Sequence, residues 1–181
     1  MRKKDAITFK GVKEGILLEA GYDNVAPNLP VTISSWAFNR ASVTPGIEII
    51  DNRAKNILCY DHRYTFVEKL QTIATKFRKE KETGQIATNY MRQYYDVYCL
   101  LGDKRVQEFI GTKEYIDHKA RRFPEKDLAI PINKNEAFLL SEMNIREKLQ
   151  KRYEATKALY YKGQPSFQDV LDRIRSYIDI M

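Results

Sequence analysis

Two short constellations in this sequence have residue types and spacing suited to chemistry. The first is Glu68-Lys69. Phe66, Leu70, Ile73 and Phe77 recur at helical spacing, which puts Lys69 beside an apolar stripe rather than opposite it. A lysine there either snorkels, with its stem packed and its ammonium wet, or offers that ammonium to an anion such as a phosphate. Glu68 follows Thr65 by three residues, the spacing of a capping box, and so has a structural role open to it. The second constellation is Tyr90-Met91-Arg92-Gln93-Tyr94-Tyr95-Asp96-Val97-Tyr98. Arg92 and Asp96 are four apart and share a helix face. Asp96 lies on a largely aromatic helix, where an unpaired buried carboxylate is costly. It is either half of an Arg92–Asp96 ion pair or a carboxylate anchored beside a cleft, and spacing alone leaves both open.

Other chemistries have no carrier. There is no Gly-x-Gly-x-x-Gly, no Walker pattern, no Cys-x-x-Cys, no His-Glu-x-x-His and no Gly-x-Ser-x-Gly, so the corresponding phosphate loops, zinc sites and serine elbows are excluded. His62 and His118 are the only histidines, too few for a His-rich metal site.

The elements that must position these residues fall into two halves. Up to about residue 60 the pattern is strands and loops. Ala6 to Lys10, Gly15 to Tyr22, Val31 to Ser35, Ile47 to Ile50 and Ile57 to Tyr60 are candidate strands. Trp36 to Ala41 is a candidate helical turn, and Pro27, Pro30 and Pro45 punctuate the stretch. After Asp61 the period becomes helical. The Phe66 stripe predicts a helix starting at Thr65, followed by a polar loop from Lys79 to Asn89. A second helix is expected from about Asn89 to Leu101, with Gly102 ending it. Asp103 and Thr112 are expected N-caps of two short helices, and Pro124 and Pro131 bracket a loop. A long helix is predicted from Asn135 to Tyr161, carrying Ile145, Leu149, Tyr153 and Tyr160. Ser166 is expected to cap a last helix whose buried face is Phe167, Val170, Leu171, Ile174 and Ile178. The fold class is α+β: a small β-containing lobe over residues 1–64, then a mainly α-helical lobe over residues 65–181.

The chain has 181 residues with 31 Lys and Arg against 24 Asp and Glu, a formal charge of +7. That charge is spread evenly, at +2, +3 and +2 over residues 1–64, 65–130 and 131–181. The dense spot is His118-Lys119-Ala120-Arg121-Arg122, a candidate contact for nucleic acid or nucleotide phosphate. Cys59 and Cys99 are too few for a disulfide framework, and a reducing compartment is expected. No apolar run approaches the ~20 residues of a membrane span, so a cytoplasmic protein with no membrane partner is expected.

Taken in order, Thr65-Phe66-Val67-Glu68-Lys69-Leu70, a basic loop, and Arg92-Gln93-Tyr94-Tyr95-Asp96-Val97-Tyr98 resemble the nucleotidyltransferase-like AbiEii/AbiGii toxin family. The tail from Tyr153 to Met181, with Pro165-Ser166-Phe167 ahead of its last helix, resembles it too. Ile16-Leu17-Leu18-Glu19 fits a strand of that family's catalytic domain. The resemblance implies a partial nucleotidyltransferase fold joined to a helical lobe, with transfer of a nucleotidyl group from NTP with Mg²⁺, to tRNA in related toxins. It makes Lys69 and Asp96 the catalytic pair. Lys69 and Arg92 become nucleotide contacts, Glu19 a metal-binding carboxylate, and Lys119, Arg121 and Arg122 the nucleic-acid contacts. A place in a toxin–antitoxin system and in phage defence follows from the same resemblance.

This chain departs from the family pattern in one respect: it contains neither the Gly-Gly-Ser/Thr turn nor the Asp-x-Asp pair. Two-metal phosphoryl chemistry needs clustered carboxylates. The expectation is therefore a partial form, inactive alone and binding neither Mg²⁺ nor NTP tightly, completed by an N-terminal segment. The alternative is a non-catalytic interaction or assembly protein of a toxin–antitoxin system, partnered by a cognate antitoxin or by a second copy of itself.

Overall fold

A computed structural model describes residues 18, 20–23, 26–160 and 163–181. The organising element is a 22-residue helix, α2 (His62–Thr83). Asp61 caps it, its carboxylate accepting from the Arg63 N–H, and that carboxylate is tied further to the Arg63 guanidinium. The apolar stripe then buries Phe66, Val67, Leu70, Ile73, Ala74 and Phe77. Each fully buried side chain of this size stabilises by about 1.5–3 kcal/mol. The helix stops where Gly84 takes a left-handed φ of 70° and returns its N–H to the Glu80 carbonyl, a conformation that a side chain would strain.

Two sequence expectations are corrected here. The helix begins three residues before Thr65, so Thr65 and Glu68 do not form a capping box. Asp61 supplies an acceptor one turn earlier and wins the N-cap. The helix also runs on through Lys79–Thr83, because only Gly84 breaks the backbone, and the loop shrinks to residues 85–89.

A second helix, α3 (Tyr90–Leu100), returns along α2 and buries Tyr90, Met91, Tyr94 and Val97. Contacts pairing 69 with 96, 76 with 88 and 80 with 87 make the two antiparallel. Around them pack α4 (Lys104–Phe109) and α5 (Lys113–Arg122), capped by Asp103 and Thr112 as expected. The Pro124–Pro131 interval holds a short helix, α6 (Glu125–Leu128), rather than only a loop, because Pro124 opens it with an already helix-compatible φ.

The long helix expected over 135–161 is broken into pieces. Asn135 caps α7 (Glu136–Leu139), and Leu140 then turns left-handed at φ 45°. Glu136 stabilises that turn by accepting from the Ser141 N–H and hydroxyl. The chain resumes as α8 (Met143–Glu154), followed by a 3₁₀ turn at Lys157–Leu159. The last helix, α9 (Phe167–Arg175), carries a full capping box between Ser166 and Asp169. Its buried face is the expected one, and Ile178 in the closing 3₁₀ turn is buried too.

Ahead of this body stands a two-stranded antiparallel hairpin. Strand β1 (Asn28–Ile33) pairs with β2 (Ala54–Tyr60), Asn28 opposite Tyr60 and Val31 opposite Ile57. Helix α1 (Trp36–Ser42) lies between them, capped by Ser35. Residues 47–50 form no strand, since no neighbouring chain offers them a ladder. The strands expected at 6–10 and over most of 15–22 lie outside the described residues. Every residue of β1 is exposed, and on β2 only Cys59 and Tyr60 are half-buried. The molecule is thus α+β, a small hairpin attached to a helical body, and among the described residues the core lies within that helical body.

Candidate functional site

Lys69 and Asp96 meet. The Lys69 ammonium lies 2.8 Å from Asp96 Oδ2, bridging α2 and α3. Local sequence explains why each side chain is there. Lys69 precedes buried Leu70 by one residue and Asp96 precedes buried Val97 by one. Each therefore leaves its helix at the rim of the shared apolar interface. The side chains are 29% and 39% exposed, so the pair stands at the surface and can be reached from solvent. An ammonium has three donors. One faces Asp96, which leaves two for an incoming anion.

Arg92 sits one turn before Asp96 and is exposed. It forms no ion pair with Asp96, because Lys69 reaches the carboxylate first from the neighbouring helix. Arg92 instead lines a cleft of about 310 Å³ with Asn89, Arg152 and Thr156. That cleft shares Ile86 and Ala87 with a second one of about 440 Å³ along α2.

Sequence spacing did not foresee a second polar cluster, where the hairpin joins the body. The Tyr60 hydroxyl donates to Glu68 Oε1 at 2.8 Å, and His118 Nε2 lies 3.2 Å from the same hydroxyl. Arg122 Nε approaches Glu68 Oε1 at 3.4 Å and makes a bidentate contact with Asp23 at 2.9 and 2.8 Å. Burial pushes the Tyr60 hydroxyl well above its usual pKa, reinforced by the bond to Glu68. Burial also lowers the His118 pKa, against the opposing pull of Glu68. These residues come from β2, α2, α5 and the stretch ahead of β1, so no local periodicity could have linked them. The only signal was Glu68 itself, which is freed from capping to accept these bonds.

The basic run on α5 divides. Lys119 donates to the Met181 carbonyl at 2.7 Å and lies 5.8 Å from the Tyr115 and Phe123 ring centres. Arg122 is turned toward Glu68 and Asp23, and Arg121 is exposed. The three cations therefore do not converge on one outward surface.

Glu19, the expected metal-binding carboxylate, lies outside the described residues. Among the described residues no group of three or more His, Cys, Asp and Glu could hold a metal ion. Asp96 is already neutralised by Lys69, and the described residues do not fit a Mg²⁺ site. No helix among them is long and apolar enough to cross a membrane.

No curated protein and no solved structure matches the chain. A family model described as nucleotidyl transferase AbiEii toxin, type IV toxin–antitoxin system, matches residues 6–173. That span takes in the hairpin, the α2–α3 pair bearing Lys69 and Asp96, and nearly all of α9. The chain belongs to the AbiEii family of nucleotidyl transferase toxins of type IV toxin–antitoxin systems.

Proposed function

We propose that these residues form the phosphate-binding side of a nucleotidyl transfer site, with Lys69 as the cation and Asp96 as its anchor. The observation that carries this reading is the solvent-reachable 2.8 Å ion pair between α2 and α3. In the reaction, an acceptor hydroxyl oxygen attacks the α-phosphorus of an NTP. A bond to the acceptor oxygen forms, the bond from the α-phosphorus to the bridging oxygen breaks, pyrophosphate leaves, and the hydroxyl proton passes to solvent. Lys69 stabilises the negative charge on the phosphate oxygens. Asp96 holds the ammonium in place until those oxygens arrive. Arg92, one turn away, adds a second guiding charge at the cleft mouth. The acceptor in this reading is an RNA end, with tRNA as the class that the family resemblance suggests.

The missing Asp-x-Asp pair limits what this chain does alone. No step is assigned to a metal, because the described residues supply no cluster to hold one. The reading is of a partial form that binds NTP weakly and requires carboxylates from another segment to complete transfer.

Equilibrium dialysis of NTP against wild type, Lys69→Met and Asp96→Asn tests it. Wild type should bind weakly. Lys69→Met should lose at least about tenfold, the effect of removing one charge-assisted hydrogen bond. Asp96→Asn should lose less, since it leaves the ammonium in place. Equal binding by all three proteins, or no binding by wild type, would overturn the reading.

A non-catalytic assembly role has one supporting observation, the exposed apolar side chains of the hairpin. Trp36 is 71% exposed and Leu58 67%, and among the described residues neither strand has a partner on its outer edge, the kind of surface that invites strand pairing. Light scattering separates the two: a self-associating chain that loses association on Trp36→Ser and Leu58→Ser favours assembly, and a strict monomer rules out the homodimer.

A further inference from the structure

Lys76 stands seven residues beyond Lys69 on α2 and therefore on the same side of the helix. The residue is half-buried, and its ammonium donates to the Thr88 carbonyl at 2.8 Å. Among the described residues it forms no ion pair. The nearby acid, Glu80, is committed elsewhere: it accepts two bonds from Arg152, at 2.8 Å each, and one from the Ala87 N–H at 2.7 Å. Burial lowers the Lys76 pKa and the Lys69 charge lowers it further, while Glu80 pulls the other way. Two ammonium groups on one helix side, one paired with Asp96 and the other bonded to a neutral carbonyl, are complementary to a ligand with several negative charges.

The cleft beside Lys76 extends this side. It has a volume of about 440 Å³ and is lined by Thr72, Thr75, Lys76, Gln85, Ile86 and others, a size within the range of small-ligand sites. Its wall mixes hydroxyl and amide groups, the Lys79 ammonium and the Arg152-paired Glu80 with apolar Ile86, which is 64% exposed. Hydrogen-bonding edges beside a flat apolar surface are what a nucleoside presents. The cleft opens within one turn of Lys69, because Thr72 is three residues away along the helix.

We infer that this cleft seats the nucleoside part of the NTP, with Lys76 as a second phosphate contact next to Lys69. The inference rests on the nucleotide reading of Lys69 and Asp96. It goes beyond that reading by assigning a direction to the ligand: phosphates at Lys69 and Lys76, base toward Gln85 and Ile86.

The test compares binding of the four NTPs with binding of inorganic tripolyphosphate, which has no base. It uses the full chain as wild type, Lys69→Met, Lys76→Met, Ile86→Ser and, as a control for total charge, Lys104→Met. Thermal melts monitored by circular dichroism confirm that each variant folds. Lys76→Met should weaken both ligands about tenfold. Ile86→Ser should weaken at least one NTP about fivefold and leave tripolyphosphate unchanged. Lys104→Met should change neither. Unchanged tripolyphosphate binding by Lys76→Met would remove Lys76 from the site. If Ile86→Ser weakens neither ligand, or both equally, the base lies elsewhere. Either result overturns this inference while leaving the Lys69 reading intact, provided that Lys69→Met loses binding. Failure of wild type to bind any NTP sinks both.

Discussion

At the scale of single residues, His118 is the group whose protonation matters most to the described structure. It is 6% exposed, touches Tyr60 and Glu68, and meets the Tyr64 ring edge-on at 4.8 Å. Arg121 and Arg122 add like charge that disfavours its protonation. Its folded pKa is therefore below the value near 6.5 of a free histidine. The unfolded chain binds the proton more readily, so stability is fully present above pH 6.5 and is lost as pH falls through the lower folded value. A series of thermal melts between pH 8 and pH 5 should show a falling Tm in wild type. The fall should be shallower in His118→Gln, which cannot take up the proton. Parallel slopes would mean that other groups carry the pH dependence. None of these contacts could be inferred from neighbours in the sequence, because Tyr60, Glu68 and His118 come from separate elements. Lys69 and Asp96 could each be singled out by residue type and spacing. That they pair with each other, rather than Asp96 with Arg92, depends on how α2 lies against α3.

At the scale of elements, α2 is held to α6 by a buried ion pair. Asp127 is 3% exposed and accepts from Arg78 Nε at 2.7 Å and from the Thr75 hydroxyl at 2.5 Å. Replacing Arg78 by Met should destabilise the fold by about 3–5 kcal/mol, since a buried carboxylate is left without its cation. Arg78→Met combined with Asp127→Leu should recover most of that loss, as urea denaturation would show. If the double variant is no more stable than the single one, the pair is not the connection described. The stripes on α2, α3 and α9 could be read in advance because a helix repeats its buried positions within a few residues. The breaks could not. Leu140 has no residue type that marks a left-handed turn, and only the Glu136–Ser141 bonds reveal why the chain turns there. Asp61 was overlooked as a cap because Thr65 and Glu68 offered a stronger local pattern.

At the scale of the whole molecule, nearly all the buried apolar side chains belong to the helical body, and the hairpin contributes none. A two-stranded hairpin has little stability of its own. A chain beginning at Asp61 should therefore keep its helical circular dichroism and melt within a few degrees of the full chain. Amides of β1 and β2 should exchange faster than those of α2 and α3. Loss of cooperative melting on truncation would show that the first sixty residues support the core. The α+β division was visible in the change from strand-like to helical periodicity after Asp61. The hairpin's lack of a packed face was not, since its alternating apolar residues look like any half-buried strand. The junction itself is unusually short. Strand β2 ends at Tyr60 and α2 starts at His62, with only Asp61 between them, and that residue is 1% exposed with its carboxylate bound to Arg63. Seven residues of helix, about 10 Å of rise, separate this junction from Lys69. With one residue of slack, whatever holds the end of β2 also holds the start of the helix that carries the cation. A molecule gripping the strands would be held at a set distance and azimuth from the ammonium, as a jig holds a workpiece before a tool.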